Sequence, residues 1–324
     1  MDLHPTYPIF PLMIFLSLVA SLLPLLWIKR DNIGVLFLSL WLAIACLNQF
    51  VNSVIWYGNT RNFIPVWCDI SSRLIVGITV AIPASALCMA RRLYHICSMK
   101  AFHLTPIQAN TSTLIEDMSI CLGTPFLQMA IQYIVEGEKY AIMEDIGCYP
   151  LYDGVWPSFV LAFSWPVAIG STSAVYSVLT IRALAKHGKE IDKFIEDKAQ
   201  RKHYRRLIIL ALCVIIFETP FSVVVMILDL TIAPVHSYIS WKDTHSNYSI
   251  VLEVPAVIWR SNHMFNVKSE MCRWILVLLA IIFYGIFGFS VEAINVYKRT
   301  FRSVVGLVGI KIPASTVHQE HLSQ

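Results

Sequence analysis

The 324-residue sequence predicts an all-α membrane protein, a bundle of seven transmembrane helices with its N-terminus outside and its C-terminus cytoplasmic. Three observations carry this prediction. Hydrophobic residues make up 56% of the chain and charged residues only 14%, where a soluble domain has about 25% charged. Apolar windows close to the ~20 residues needed to cross hydrocarbon recur seven times along the chain. Basic residues also crowd onto alternate connecting segments. This balance excludes a water-soluble enzyme and a disordered chain. The net charge of +4 is too small to call for nucleic acid as a partner.

The seven windows lie at about 9–28, 33–56, 70–90, 118–135, 158–181, 207–230 and 274–297. Each reads as a helix, because lipid offers backbone groups no partner outside their own segment. The alternating segments of a membrane β-barrel are not seen. The first window follows Asp2 rather than a basic leader, so it is expected to stay as an anchor with its N-terminus translocated. Pro11, Pro24, Pro83, Pro125, Pro166 and Pro220 fall in five of the spans and are expected to bend them. A seven-transmembrane domain is expected over 1–297 and a short cytoplasmic tail over 298–324.

Loop charge orients the bundle. With the N-terminus outside, segments 29–32, 91–117, 182–206 and 298–324 lie inside and hold 18 Lys and Arg, while segments 1–8, 57–69, 136–157 and 231–273 lie outside and hold 6. Positive residues stay on the cytoplasmic side. Two glycosylation sequons then separate: Asn247 falls outside and is expected to be modified, and Asn110 falls inside and is not.

Intramembrane ionisable groups are costly and therefore functional candidates. Arg73 lies one turn below the outer end of span three, and Glu218 near the middle of span six. Gln128 and Gln132, four residues apart, share a helix face, as interhelical hydrogen-bond glue or ligand contacts. Three cysteines reach the oxidising side. Cys68 and Cys148 form the favoured pair, since Cys272 sits at the edge of span seven; one of the three is left over. The loop 182–206 has nine basic and four acidic residues, and its apolar residues recur at helical spacing. It grips lipid headgroups, docks an intracellular protein, or does both. Neither catalytic nor metal-binding motifs occur, so no cofactor, metal or enzymatic activity is expected. No internal repeat is evident either, which weighs against a transporter.

The residues also carry a family likeness. Trp56-Tyr-Gly-Asn runs into Pro65-Val-Trp67-Cys68-Asp69-Ile-Ser-Ser-Arg73, and span three continues through Pro83 to Cys88-Met-Ala-Arg91-Arg92-Leu-Tyr. Further on come Glu144-Asp145-Ile-Gly147-Cys148-Tyr-Pro150, Phe-Ser-Trp165-Pro166, Arg201-Lys-His-Tyr204-Arg205-Arg206-Leu, and Tyr238-Ile-Ser-Trp241 with His245-Ser. In order and spacing, over nearly the whole chain, this resembles the fungal mating pheromone receptors of the a-factor type, class D G-protein-coupled receptors. The class A signatures Asp-Arg-Tyr and Asn-Pro-x-x-Tyr are absent from spans three and seven.

The resemblance implies a multi-pass plasma-membrane receptor that binds a farnesylated peptide pheromone and activates the α subunit of a heterotrimeric G protein. Such a ligand partitions into lipid at about 0.8 kcal/mol per buried CH₂. The aromatic outer segment 231–273 is expected to fold as a lid. Arg73, Gln128, Gln132, Glu218, Trp241, His245 and Trp259 are the candidate ligand contacts. Arg91 and Arg92, with Arg201, Lys202, Arg205 and Arg206, are the candidate G-protein contacts. The alternative is a seven-span transporter or channel, which needs a continuous polar pathway where only Arg73, Glu218 and scattered amides are available.

Overall fold

Seven helices long and apolar enough to cross a membrane are present in the computed structural model, which describes residues 5–28, 32–98, 111–194, 198–232, 235 and 237–307. They are α1 (Ile9–Leu26), α2 (Ile33–Ile55), α3 (Pro65–Cys97), α4 (Thr113–Val135), α5 (Trp156–Lys186), α6 (Arg205–Ile232) and α7 (His263–Phe287). The seven expected spans are therefore found, but several helices outrun their apolar windows. Helix hydrogen bonding continues past the point where charged side chains begin, so α3 extends beyond the expected 70–90 to take in Cys68 and Arg91.

The largest boundary difference is in span seven. The expected window, 274–297, starts eleven residues after the helix does. Lys268, Glu270 and Arg273 depress the hydropathy of the first turns of α7, yet each is paired: Lys268 with Asp229, and Arg273 with Glu270 at 3.0 Å. The chain then breaks after Phe287, and a separate helix, α8 (Val291–Leu307), follows. Ser290 caps it through Oγ, which accepts from the Ala293 amide. The expected boundary at 297 thus falls within α8, and the tail beyond residue 307 lies outside the described residues.

Two of the prolines reshape their helices in the same way. Proline has no amide hydrogen and cannot bond to the carbonyl a turn earlier. In α4, residues Ser119–Gly123 widen into a π-turn just before Pro125, and in α5 Phe159–Phe163 do so before Pro166. A neighbouring helix supplies a donor to each widened turn. The Trp41 indole on α2 donates to the Cys121 carbonyl at 3.0 Å, and the Gln128 amide on α4 donates to the Leu161 carbonyl at 3.0 Å. A bare carbonyl in hydrocarbon would cost several kcal/mol, so these contacts also fix the rotation of α2 and α4.

At one end of the bundle the connections form a small sheet. Strands β1 (Tyr140–Met143) and β2 (Gly147–Tyr149) pair antiparallel, with Ile142 opposite Cys148. Strand β3 (Val251–Val254), from the segment between α6 and α7, pairs parallel to β1 on its other edge. Among its described residues, the expected lid over 231–273 therefore holds the end of α6, two short helical segments (Trp241–Thr244 and Ala256–Ser261), strand β3, loop and, from His263, the start of α7. The sheet is held to the helices by a Cys68–Cys148 disulfide with Cα atoms 5.1 Å apart. Nearby, Asn52 of α2 accepts from the Trp67 indole and donates to the Ser71 hydroxyl, both at 2.8 Å.

Gly147 is required where β2 crosses α2. Its φ is +90°, and an added Cβ would lie 2.6 Å from Asn52 Cβ. Gly147→Ala is expected to cost roughly 2–4 kcal/mol, from left-handed strain and overpacking together. A fall in the thermal unfolding midpoint of the purified protein checks it. Gly123→Ala, where an added Cβ meets nothing within 4 Å, is the control and should lose little.

Candidate functional site

Beneath the sheet, the helices enclose a cavity of about 1080 Å³, counting the open space at its mouth. Its walls are mostly apolar. Ile75, Ile78 and Ile82 of α3 recur at helical spacing on one side; Phe163 and Pro166 of α5 and Phe221 and Val225 of α6 face them, with Ile275, Leu276 and Leu279 of α7 completing the wall. Tyr149, Pro150 and Tyr152 form the roof. They follow Cys148 directly, so the disulfide that anchors β2 also places the roof. Desolvation pushes the Tyr149 hydroxyl up to about 12 and that of Tyr152 up as well, so both are neutral donors at physiological pH.

The charged groups of the cavity come from α6 and α7. Asp229 and Lys268 form a direct ion pair, and both are largely buried. The ammonium also lies 5.5 Å from the Tyr149 ring centroid and 5.9 Å from that of Phe265, within cation–π range. Glu218 lies three turns before Asp229 on α6 and also contributes to the lining.

The structure sorts the candidate ligand residues into three places. Only Glu218 lines the cavity. Gln128 is spent on the Leu161 carbonyl, and Gln132 is buried without a hydrogen-bond partner for either amide atom. Trp259 is 2% exposed and donates to the Glu144 carbonyl at 3.1 Å, which makes it a support of the sheet. Arg73, Trp241 and His245 meet instead at the edge of the lid. Arg73 lies 3.6 Å from the buried Glu136 carboxylate and 3.5 Å from the Tyr248 hydroxyl. Trp241 stacks on His245 with centroids 4.0 Å apart. The two ring nitrogens of His245 sit 2.9 Å from the Trp241 and Tyr133 carbonyl oxygens, tying the lid to the end of α4. Asn247 is exposed in the adjoining turn, whereas Asn110 lies outside the described residues.

Sequence reasoning missed both partners: Lys268 falls in a stretch counted as loop, and Asp229 lies at the very end of the sixth window. A carboxylate and an ammonium on flanking apolar spans are the signal that could have paired them.

At the opposite end of the bundle, Arg91 is clamped between Glu116 at 2.8 Å and the buried Asp117 at 2.7 Å on α4. Arg206 lies 3.9 Å from Glu292 and donates to the Phe289 carbonyl at 3.4 Å, linking α6 to the α7–α8 junction. Lys202 and Arg205 are exposed, and Arg92 is half-buried. The side chain of Arg201 lies outside the described residues.

The Arg73–Glu136 contact has a pH signature. Burial raises the Glu136 carboxyl above its ordinary range, and Arg73 is the main group that lowers it again. A raised carboxyl favours the fold when protonated, and that contribution is lost as pH rises through its folded value. Arg73→Met should therefore widen the loss of stability between about pH 4 and about pH 7, with little effect at the acid end. Unfolding midpoints of wild type and variant at the two pH values measure this; equal differences at both would contradict it.

Residues 9–308 match the STE3, pheromone A receptor, family. The chain is 40% identical over 311 residues to the Pheromone B alpha 3 receptor of Schizophyllum commune, covering 95% of this chain and 50% of that protein. It is 30% identical over 294 residues to Pheromone receptor 1 of Mycosarcoma maydis, covering 89% and 82%. To the Pheromone a factor receptor of Saccharomyces cerevisiae it is 27% identical over 289 residues, covering 87% and 59%. The chain spans about half the length of the Schizophyllum relatives it matches. Seven apolar helices in the expected order, with the family match running from the first helix into the last, bear out the likeness read from the residues: the chain belongs to the pheromone A receptor family.

Proposed function

We propose that this chain is a plasma-membrane G-protein-coupled receptor for a farnesylated peptide pheromone, with the sheet-bearing end outside and the basic end in the cytoplasm. The cavity under the sheet is the observation that carries this reading. Its walls suit an isoprenoid chain, and its tyrosine roof and buried charges suit the polar part of a peptide. A lipidated ligand concentrates in the outer leaflet and reaches the cavity from there, while the lid of Trp241, His245 and Tyr248 contacts the exposed part of the peptide. Signalling requires the ligand to bind the active bundle more tightly than the resting one, since equal affinity shifts no population. The exposed Lys202 and Arg205, with Arg206, form the cytoplasmic contact for the G-protein α subunit, and the basic segment also grips anionic lipid.

The orientation is tested by glycosylation. Asn247→Gln should abolish a glycosidase-sensitive shift in gel mobility and Asn110→Gln should leave it unchanged; modification at Asn110 would reverse the topology. The function is tested in a fungal cell carrying a G-protein reporter and challenged with a panel of farnesylated peptides. At least one peptide should activate the reporter, and its unfarnesylated form should be much weaker. Exposed ion pairs contribute only about 0–1 kcal/mol each, so the coupling test needs a double change. Arg205→Ala with Arg206→Ala should lower reporter output per surface receptor while ligand binding at the surface is retained. Normal output per receptor would remove these residues from coupling.

A further inference from the structure

The polar groups lining the cavity are not all spent on one another: the Tyr149 and Tyr152 hydroxyls are donors in the roof, and buried acceptors lie in the same lining. Thr79 and Ser222 contribute hydroxyls, but each donates to its own helix, Thr79 to the Val76 carbonyl and Ser222 to the Glu218 carbonyl. The Lys268 ammonium is engaged by Asp229. Several acceptors are left over. Asn48 Oδ1, Gln49 Oε1 and Asp229 Oδ2 are buried without a donor. The Asn48 amide is oriented by its nitrogen, which donates to the Ser71 carbonyl at 3.5 Å, so its oxygen is the free atom. Glu218 is only 7% exposed, and among the described residues its carboxyl has neither a hydrogen-bond nor an ion-pair partner. Two carboxyls and one ammonium line the same space.

Buried acceptors without donors are costly, and Glu218 is the one carboxyl of the lining that no cation pairs among the described residues. We propose that Glu218 is the polar anchor of the cavity, and that the ligand it receives carries a cationic or N–H-donating group joined to an apolar chain. The inference rests on reading the cavity as the pheromone site and adds the chemistry of the group held there. The Asp229–Lys268 pair supports the assignment. Lys268 is already neutralised, so an anionic ligand group would find no free cation among the described lining residues and would face Glu218. A cation finds Glu218 directly, in apolar surroundings that strengthen the contact.

Three probes with one chain and different heads decide the matter: farnesylamine, farnesol and farnesoic acid. Each is titrated against the full chain in lipid nanodiscs, and the rise in unfolding midpoint is followed. In the wild type, farnesylamine should act at about tenfold lower concentration than farnesol, as expected for one charge-assisted hydrogen bond, and farnesoic acid should be the weakest. Glu218→Gln should bring the amine to the level of farnesol, and Glu218→Asp should keep an amine preference. Should Glu218→Gln fail to fold, the wild-type ranking decides alone. If all three act equally, or if the amine preference survives in Glu218→Gln, the anchor is overturned while the cavity stands as an isoprenoid site. If none acts, the cavity is not an isoprenoid site, and both the lipid reading and the anchor fall.

Discussion

The bond between Cys68 and Cys148 is the constraint on which the cavity-bearing half of this protein depends. It joins the first turn of α3 to the short strand β2. The next residues, Tyr149, Pro150 and Tyr152, are held over the bundle as the roof of the cavity. A three-stranded sheet of such short strands would be marginal alone. Here Tyr140 and Ile142 of β1 pack against buried Trp56, and β3 brings the third long connection into the same unit. Gly147 allows the close crossing over Asn52 that this anchoring needs.

The second governing constraint is the poverty of hydrogen-bond partners in hydrocarbon. It explains why polar side chains in the spans, such as Gln128, bind the backbone of a neighbouring helix. Pro125 and Pro166 each interrupt a helix, and Trp41 and Gln128 answer with donors from the neighbouring helix. A glutamine in a membrane span is a functional candidate only after such structural demands are met. Gln128 meets one of them; Glu218 has none to meet, and that difference separates the two residues.

The two ends of the bundle are chemically distinct. One is roofed, disulfide-bonded and hollow, and its cavity is lined by a buried ion pair and one further carboxyl. The other carries exposed basic residues and ion pairs that tie helix ends together, Arg91 to α4 and Arg206 to the start of α8. Helix α3 runs from Cys68 at the first end to Arg91 at the second. One continuous helix therefore reaches both the cavity-bearing end and the basic end of the bundle.

Composition and periodicity alone determined the fold class and the count of spans, because burial in lipid imposes a long unbroken apolar window that needs no knowledge of neighbours. The order of short motifs such as Cys88-Met-Ala-Arg91-Arg92 was enough for the family. Helix ends were less legible, since hydropathy falls at Lys268 and Arg273 while the backbone stays helical. The site was least legible of all. Whether Trp259 supports the sheet or Glu218 faces a cavity depends on contacts across more than a hundred residues, and Lys268 looked like a loop residue until Asp229 was beside it. Pairing, burial and enclosure are properties of what packs against a residue, and only the tertiary structure decides them.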